Sequence, residues 1–164
     1  VAHCPTSNLK LASGIAPMSD VQLRGLNFGL GTDGAASNNR LDLFHEMRHA
    51  ALLAKGASQN AEILDAHATL KAATLGGARA LGLDERIGSL LPGKAADLCA
   101  VRLDEWLLQP CFDPASHLVY VAGREQVSHT WVEGKLVMKD GVPLQIDISE
   151  LLDITGLWHT RLTS

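Results

Sequence analysis

The chain has 164 residues, 46% hydrophobic and 20% charged, and 14 Lys and Arg against 18 Asp and Glu leave a net charge of −4. That balance excludes a disordered polymer, and with the basic residues scattered it also excludes a surface built to track nucleic-acid phosphates. Apolar runs are only a few residues long, far short of the roughly 20 that a membrane-spanning helix needs.

The length suits one ordinary domain, or a small domain plus part of another. Cys4, Cys99 and Cys111 are widely spaced and form no C-x-x-C pair. This argues against a disulfide framework and a structural zinc knot, and points to a reducing compartment, the cytoplasm. No basic segment followed by an apolar one marks the chain for export. The first residue is Val1, and Val1 to Cys4 reads like the end of a strand, so the chain is expected to open inside a larger protein.

In chain order, Val1–Cys4 is strand-like and residues 5–17 form a loop rich in Ser, Asn and Gly. A short helix follows, with Ser19 or Asp20 as N-cap and Val21, Leu23, Leu26 and Phe28 on its apolar side. Phe28–Thr32 reads as a short buried strand ending at Asp33. A loop over 34–39 leads into a helix from about Leu41 to Lys55, stopped by Gly56. A further helix spans about Asp65 to Leu81 and closes at Gly82. Strands separated by helices indicate parallel βα units, whose sites lie at the carboxyl ends of the strands. From residue 87 the pattern turns to β: strands are expected over Asp97–Val101 and Leu118–Ala122. A hairpin joins Val127–Val132 to Lys135–Lys139 through Glu133-Gly134. Pro92-Gly93 and Asp140-Gly141 are turns. The tail from Ser149 to Leu162 reads as helical, broken or bent near Gly156.

Three stretches could carry chemistry. His45-Glu46-Met47-Arg48-His49 satisfies H-E-x-x-H, which on a helix puts two imidazoles on one face with a glutamate as general base. The extended protease motif would need Gly and His where Leu52 and Lys55 stand. Glu62 lies at a tolerable distance for a third ligand, without other matching residues. At about 100° per residue, Leu43, Phe44, Met47, Ala51 and Ala54 share one side of this helix, and His45 and His49 fall opposite with Asp42 and Glu46. The competing reading is therefore a solvated polar face.

Gly29-Leu30-Gly31-Thr32-Asp33-Gly34 spells G-x-G-x-x-G. A dinucleotide site needs a helix to open at the third glycine and an acidic strand end about 20 residues on. Neither is in place here. Asp33 is the third candidate: an acid at the end of an apolar strand, flanked by Gly31 and Gly34, which permit close backbone approach. Its alternatives are an Asx-turn or an N-cap for the following loop, or a carboxylate pointing into a barrel mouth.

Val1-Ala2-His3-Cys4-Pro5-Thr6-Ser7-Asn8-Leu9-Lys10-Leu11-Ala12-Ser13-Gly14-Ile15-Ala16-Pro17 resembles the loop after strand seven of the amidohydrolase superfamily. Gly31-Thr32-Asp33-Gly34-Ala35-Ala36-Ser37-Asn38-Asn39, with Leu41-Asp42, is similar to its strand-eight motif. Both look closest to the 5-methylthioadenosine/S-adenosylhomocysteine (adenosine-type) deaminase branch. Ala73-Thr74, Gly77-Ala78, Ala80-Leu81-Gly82, Ile87-Gly88-Ser89-Leu90, Gly93-Lys94 and Ala96-Asp97-Leu98 resemble the superfamily's crossing into a small β domain. Trp131-Val132-Glu133-Gly134 and Asp140-Gly141 are similar to its closing hairpin.

The resemblance implies an α/β fold: the last strands and helices of a (β/α)8 barrel over residues 1–86, part of a small β-sandwich over 87–145, and a helical tail over 146–164. It implies metal-dependent hydrolytic deamination of an adenosine-like nucleoside, with attack at C6 of the purine and loss of ammonia. One divalent ion, usually zinc, is implied, held by an H-x-H pair after strand one, a His after strand five and the strand-eight Asp. Only the last maps here, onto Asp33, as metal ligand, substrate contact and proton shuttle. His3, His45, His49 and His67 do not match ligand positions, and the family layout turns the last three away from the mouth. Asp97 matches a β-domain turn. Asn8, Ser13, Ser37 and Asn38 lie on loops near the implied mouth, where loop hydrogen bonding is an equal reading.

A catalytic zinc wants about three protein ligands, so this chain alone is expected to be inactive and to need the missing amino-terminal part. The full-length protein is expected to be a homo-oligomer that binds neither nucleic acid nor membrane. Guanine deamination and chlorotriazine hydrolysis on the same fold, an H-E-x-x-H protease, and a non-catalytic β-rich interaction module are the rival readings.

Overall fold

The computed structural model describes residues 1–163. Two short parallel strands form the edge on which the candidate site is built. Strand β1 (Ala2–His3) pairs with β2 (Gly29–Leu30), in the register Ala2 to Gly29 and His3 to Leu30. Backbone bonds from Gly29 N to Val1 O and from Gly31 N to His3 O, both 3.0 Å, extend the pairing on either side.

The segment after β1 is helical where the sequence suggested only loop. Pro5 supplies the fixed φ favoured in a first turn and opens α1 (Pro5–Lys10). The next helix, α2 (Met18–Leu23), starts at Pro17 without a side-chain cap, so neither Ser19 nor Asp20 serves. It buries Met18, whereas Leu23 is 76% exposed.

Helix α3 (Leu43–Ser58) is capped by Asp42, whose carboxylate accepts from Phe44 N at 3.0 Å and His45 N at 3.4 Å. It runs through Gly56 and ends two residues later, where Gln59 takes a left-handed conformation. A glycine inside a helix costs only about 1 kcal/mol against alanine, which the buried face of α3 outweighs. That face splits into two clusters. Met18, Ala50, Ala54, Ile63 and Leu64 form one, and Met47, Ala51, Ala66, Ala115 and Val119 the other.

The expected 65–81 helix is three pieces: α4 (Ala66–Lys71), a π-helical turn (Ala72–Gly76) and α5 (Gly77–Ala80). Asp65 caps the first through Ala68 N at 2.7 Å. The π turn lies where β2 crosses closely. A Cβ on Gly29 would sit 2.5 Å from Gly77 Cα, and one on Gly76 would sit 2.9 Å from Phe28 O. The glycines of this crossing serve backbone-to-backbone packing.

A four-stranded antiparallel sheet follows, ordered β3 (Leu98–Val101), β4 (Val127–Val132), β5 (Lys135–Lys139), β6 (Val142–Pro143). Cys99 on β3 is exposed, so this strand is only half-buried. Glu133 and Gly134 both have positive φ, the primed geometry that joins twisted strands tightly. Asp97 serves the β-domain turn, its Oδ1 accepting from Glu133 N at 2.7 Å.

Residues 118–122 are not a strand. They belong to α6 (Pro114–Tyr120) and its exit, and Ala115, Val119 and Ala122 are buried at helical spacing. Asp113 caps it through Ala115 N and Ser116 N, and Pro114 occupies the first turn. The tail is one helix, α7 (Ile148–Thr163), that continues through Gly156. No helix among the described residues is long and apolar enough to cross a membrane.

Candidate functional site

Asp33 follows β2 by three residues and stands at the carboxyl end of the parallel pair. Its backbone is left-handed, with φ of 58°, a conformation that Asp tolerates better than most residues. The side chain is exposed and surrounded by donors. Ser7 Oγ donates to Oδ2 at 2.7 Å, Ser37 Oγ donates to the same oxygen at 2.9 Å, and Gly34 N–H donates to Oδ1 at 2.8 Å. The Ser7 bond, then those from Ser37 and Gly34, hold the carboxyl below the usual Asp value. These donors come from α1, directly after β1, and from the loop after β2, so the pairing of β1 with β2 is what gathers them.

A carboxylate offers about four lone-pair sites, two on each oxygen. Both sites on Oδ2 are taken and one on Oδ1, among the described residues. One acceptor direction of an exposed, anion-favouring oxygen is left, which fits a single-oxygen ligand to a divalent ion. Among the described residues no group of three or more His, Cys, Asp or Glu converges to hold a metal.

Cys4 lies beside Asp33, with its thiol pushed up by burial and by the nearby Asp33 and Glu46 carboxyl groups, against opposing backbone hydrogen bonds. Gly31 leaves it room, because a Cβ there would be 3.2 Å from Cys4 Sγ. His3 is buried, 5% exposed, and burial lowers its pKa more than the neighbouring Glu46 raises it.

The polar side of α3 is not solvated. Glu46 is 0% exposed: its Oε2 accepts from Thr6 N at 3.0 Å and its Oε1 from Asn38 Nδ2 at 2.7 Å. His49 Nδ1 and Thr6 Oγ1 are hydrogen-bonded at 2.9 Å, so His49 faces α1. The rings of His45 and His49 are 4.1 Å apart edge to face, and burial followed by the nearby His45 lowers the His49 pKa. A helical wheel finds the polar stripe but not what covers it, and here the covering groups are α1 and a loop that must satisfy their own polar atoms. His67 lies apart, exposed, 3.9 Å from Asp113.

Of the loop residues, Ser37 and Asn38 are buried and fully engaged with protein partners. Asn38 Nδ2 also donates to Thr32 O at 2.8 Å, and its Oδ1 accepts from Arg40 N and Leu41 N at 3.3 Å. Ser7 was not singled out by sequence reasoning. Its signal, a hydroxyl one turn into a helix that starts at a strand end, emerges only once Pro5 is read as the start of α1.

The site is thus an exposed carboxylate at parallel strand ends, beside a helix layer and ahead of a small antiparallel sheet. The model of the amidohydrolase family matches residues 1–137, and the chain belongs to that family. It is 43% identical over 162 residues to the 5-methylthioadenosine/S-adenosylhomocysteine deaminase of Teredinibacter turnerae, covering 99% of this chain and 37% of that protein. It superimposes with a TM-score of 0.96 and 48% identity on an adenosine deaminase from Xanthomonas campestris with bound zinc, again 99% of this chain and 37% of the other. An atrazine chlorohydrolase from Arthrobacter aurescens, complexed with zinc, follows at TM-score 0.85 and 30% identity, over 95% of this chain and 35% of its own. The chain thus spans little more than a third of the length of the relatives it matches.

Proposed function

We propose that this chain supplies the strand-seven and strand-eight portion of a zinc-dependent aminohydrolase acting on an adenosine-like nucleoside. The substrate class is 5-methylthioadenosine, S-adenosylhomocysteine or adenosine. Residues 1–86 belong to the barrel, 87–145 to the small β domain and 146–164 to the tail. The observation that carries this reading is the Asp33 carboxylate, exposed at the strand ends and kept anionic by Ser7, Ser37 and Gly34.

Asp33 Oδ1 would hold the ion through its open acceptor direction, with the other ligands supplied from outside this chain. When bound, zinc supplies Lewis acidity that brings water near ionisation at neutral pH. Because Oδ1 has no acceptor direction left once it holds the ion, the proton that Asp33 takes from the water and returns toward the departing amine would go to Oδ2, one serine hydroxyl turning aside as it does. Ser7 and Ser37 restrain Oδ2, so that Oδ1 is the oxygen presented to the ion. Addition of the water oxygen to purine C6, with its proton passing to the amine nitrogen and the C6–N bond breaking, would release ammonia and leave the inosine-type product.

Identity favours the nucleoside deaminases over chlorotriazine hydrolysis, at 43% against 30%. The experiment is ammonia release from 5-methylthioadenosine by the full-length protein and its Asp33→Asn variant. A loss of at least about a thousandfold, with stability retained, supports the assignment. Full activity in the variant removes it.

A further inference from the structure

The H-E-x-x-H stretch plays no part in the chemistry above, yet its glutamate is among the most deeply buried polar groups of the chain. Glu46 is 0% exposed and makes no ion pair among the described residues, so its hydrogen bonds must justify its burial. Those bonds go to two different segments, the first turn of α1 and the loop after β2. Oε2 takes the N–H of Thr6, and the next residue, Ser7, donates to Asp33 Oδ2. Oε1 takes the amide of Asn38, and the preceding residue, Ser37, donates to the same Asp33 oxygen. The Asn38 amide also reaches Thr32 O, the carbonyl just before Asp33. Each Glu46 oxygen is therefore one residue removed from a serine that fixes Asp33. His49 adds a second hold on Thr6 through its hydroxyl.

We propose that Glu46 is a positioning residue of the Asp33 site, clamping α1 and the loop after β2 onto α3 so that Ser7 and Ser37 converge on one carboxylate oxygen. This rests on the reading of Asp33 as a metal ligand. Glutamine tests it sharply. An amide keeps the volume of Glu46 but has only one acceptor oxygen, so its NH2 must confront either the Thr6 N–H or the Asn38 amide. One segment is released while the core stays filled.

The measurement is the zinc dissociation constant of the full-length protein by chelator competition, alongside the melting temperature of the metal-free form. Loss of outer-shell partners typically weakens metal binding about 10- to 100-fold, and Glu46→Gln should fall at about 10-fold. In a Ser7→Ala/Ser37→Ala background the same change should add less than about 2-fold, because the serines through which it acts are gone. Asp65→Ala removes the α4 cap far from the site and should lower the melting temperature while leaving zinc binding unchanged. Glu46→Gln behaving like Asp65→Ala would overturn the clamp. So would an undiminished effect in the double-serine background. Should Glu46→Gln fail to fold, Asn38→Ala severs the Oε1 arm, and unchanged zinc binding there would equally refute the proposal. Asp33→Asn separates the two ideas. If it leaves zinc binding intact, the metal-ligand reading falls and the clamp with it. If it abolishes binding while Glu46→Gln does not weaken it, only the clamp falls.

Discussion

Gly29→Ala converts the reading of the glycine-rich stretch into a number. The added methyl carbon would lie 2.5 Å from Gly77 Cα and 3.1 Å from Gly77 N. Comfortable carbon contacts are about 3.5–4.0 Å, so β2 and α5 must separate by roughly 1 Å or more. Both obstructing atoms are backbone, and no rotamer change can relieve them. Overpacking of this kind costs about 1–3 kcal/mol, and a backbone clash belongs at the upper end. For a unit of this size each kcal/mol lowers the melting temperature by roughly 2–4 °C, which gives a drop of roughly 6–12 °C. Gly34→Ala is the internal control, since nothing lies within 4 Å of its Cβ position and its φ is not in the left-handed region. Thermal unfolding of the two variants followed by circular dichroism should separate them by several degrees. Equal melting temperatures would refute the packing argument. Loss of nucleotide-cofactor binding by Gly29→Ala at unchanged stability would instead revive the dinucleotide reading.

Other outcomes follow from single residues. His45→Ala should leave ammonia release within about 2-fold, because this imidazole stacks edge to face on His49 and is not among the groups bonded to Asp33, whereas a protease would lose its activity. Leu64→Ala, at a fully buried site, should cost about 2–5 kcal/mol in urea unfolding, and a cost below about 1 kcal/mol would contradict the core assignment. His3 and His49 both have folded-state pKa values below the ordinary 6.5, each chiefly through burial. The unfolded chain then binds more protons below that value, so stability is complete above about pH 6.5 and declines as acid is added. The urea midpoint should fall between about pH 7.5 and about pH 5.5, and His3→Gln should flatten that decline. A midpoint that rises on acidification would contradict the burial argument. The 164-residue polypeptide by itself, with zinc added, should release no ammonia above a metal-free control. Turnover there would show that these residues carry a complete centre.

The place of Asp33, exposed just past a short strand, was legible because an acid flanked by Gly31 and Gly34 at the end of an apolar run has little packing reason to be there. The hairpin at Glu133-Gly134 was legible because only a few residue pairs tolerate two positive φ values in succession. The stretch Leu118-Val119-Tyr120-Val121-Ala122 was not, since a short apolar run rich in β-branched residues has no period to distinguish helix from strand. The deciding signal sat upstream in Asp113-Pro114, a cap followed by a first-turn proline. Pro5 carried the proline half of that signal for α1, without a capping side chain before it. Glu46 shows a different limit. Its position on the polar side of α3 is a local property, but its burial depends on a loop residue 8 positions away and an α1 residue 40 positions away in the chain. Spacing within one helix holds no record of those partners.

The most direct test is diffraction from the zinc-loaded full-length protein with data collected at the zinc absorption edge. The account expects an anomalous peak with Asp33 Oδ1 at about 2.0–2.2 Å, the ordinary zinc–carboxylate distance, and Oδ2 still held by Ser7 and Ser37. An ion bound elsewhere, with the Asp33 carboxylate beyond about 4 Å of any metal, would contradict it.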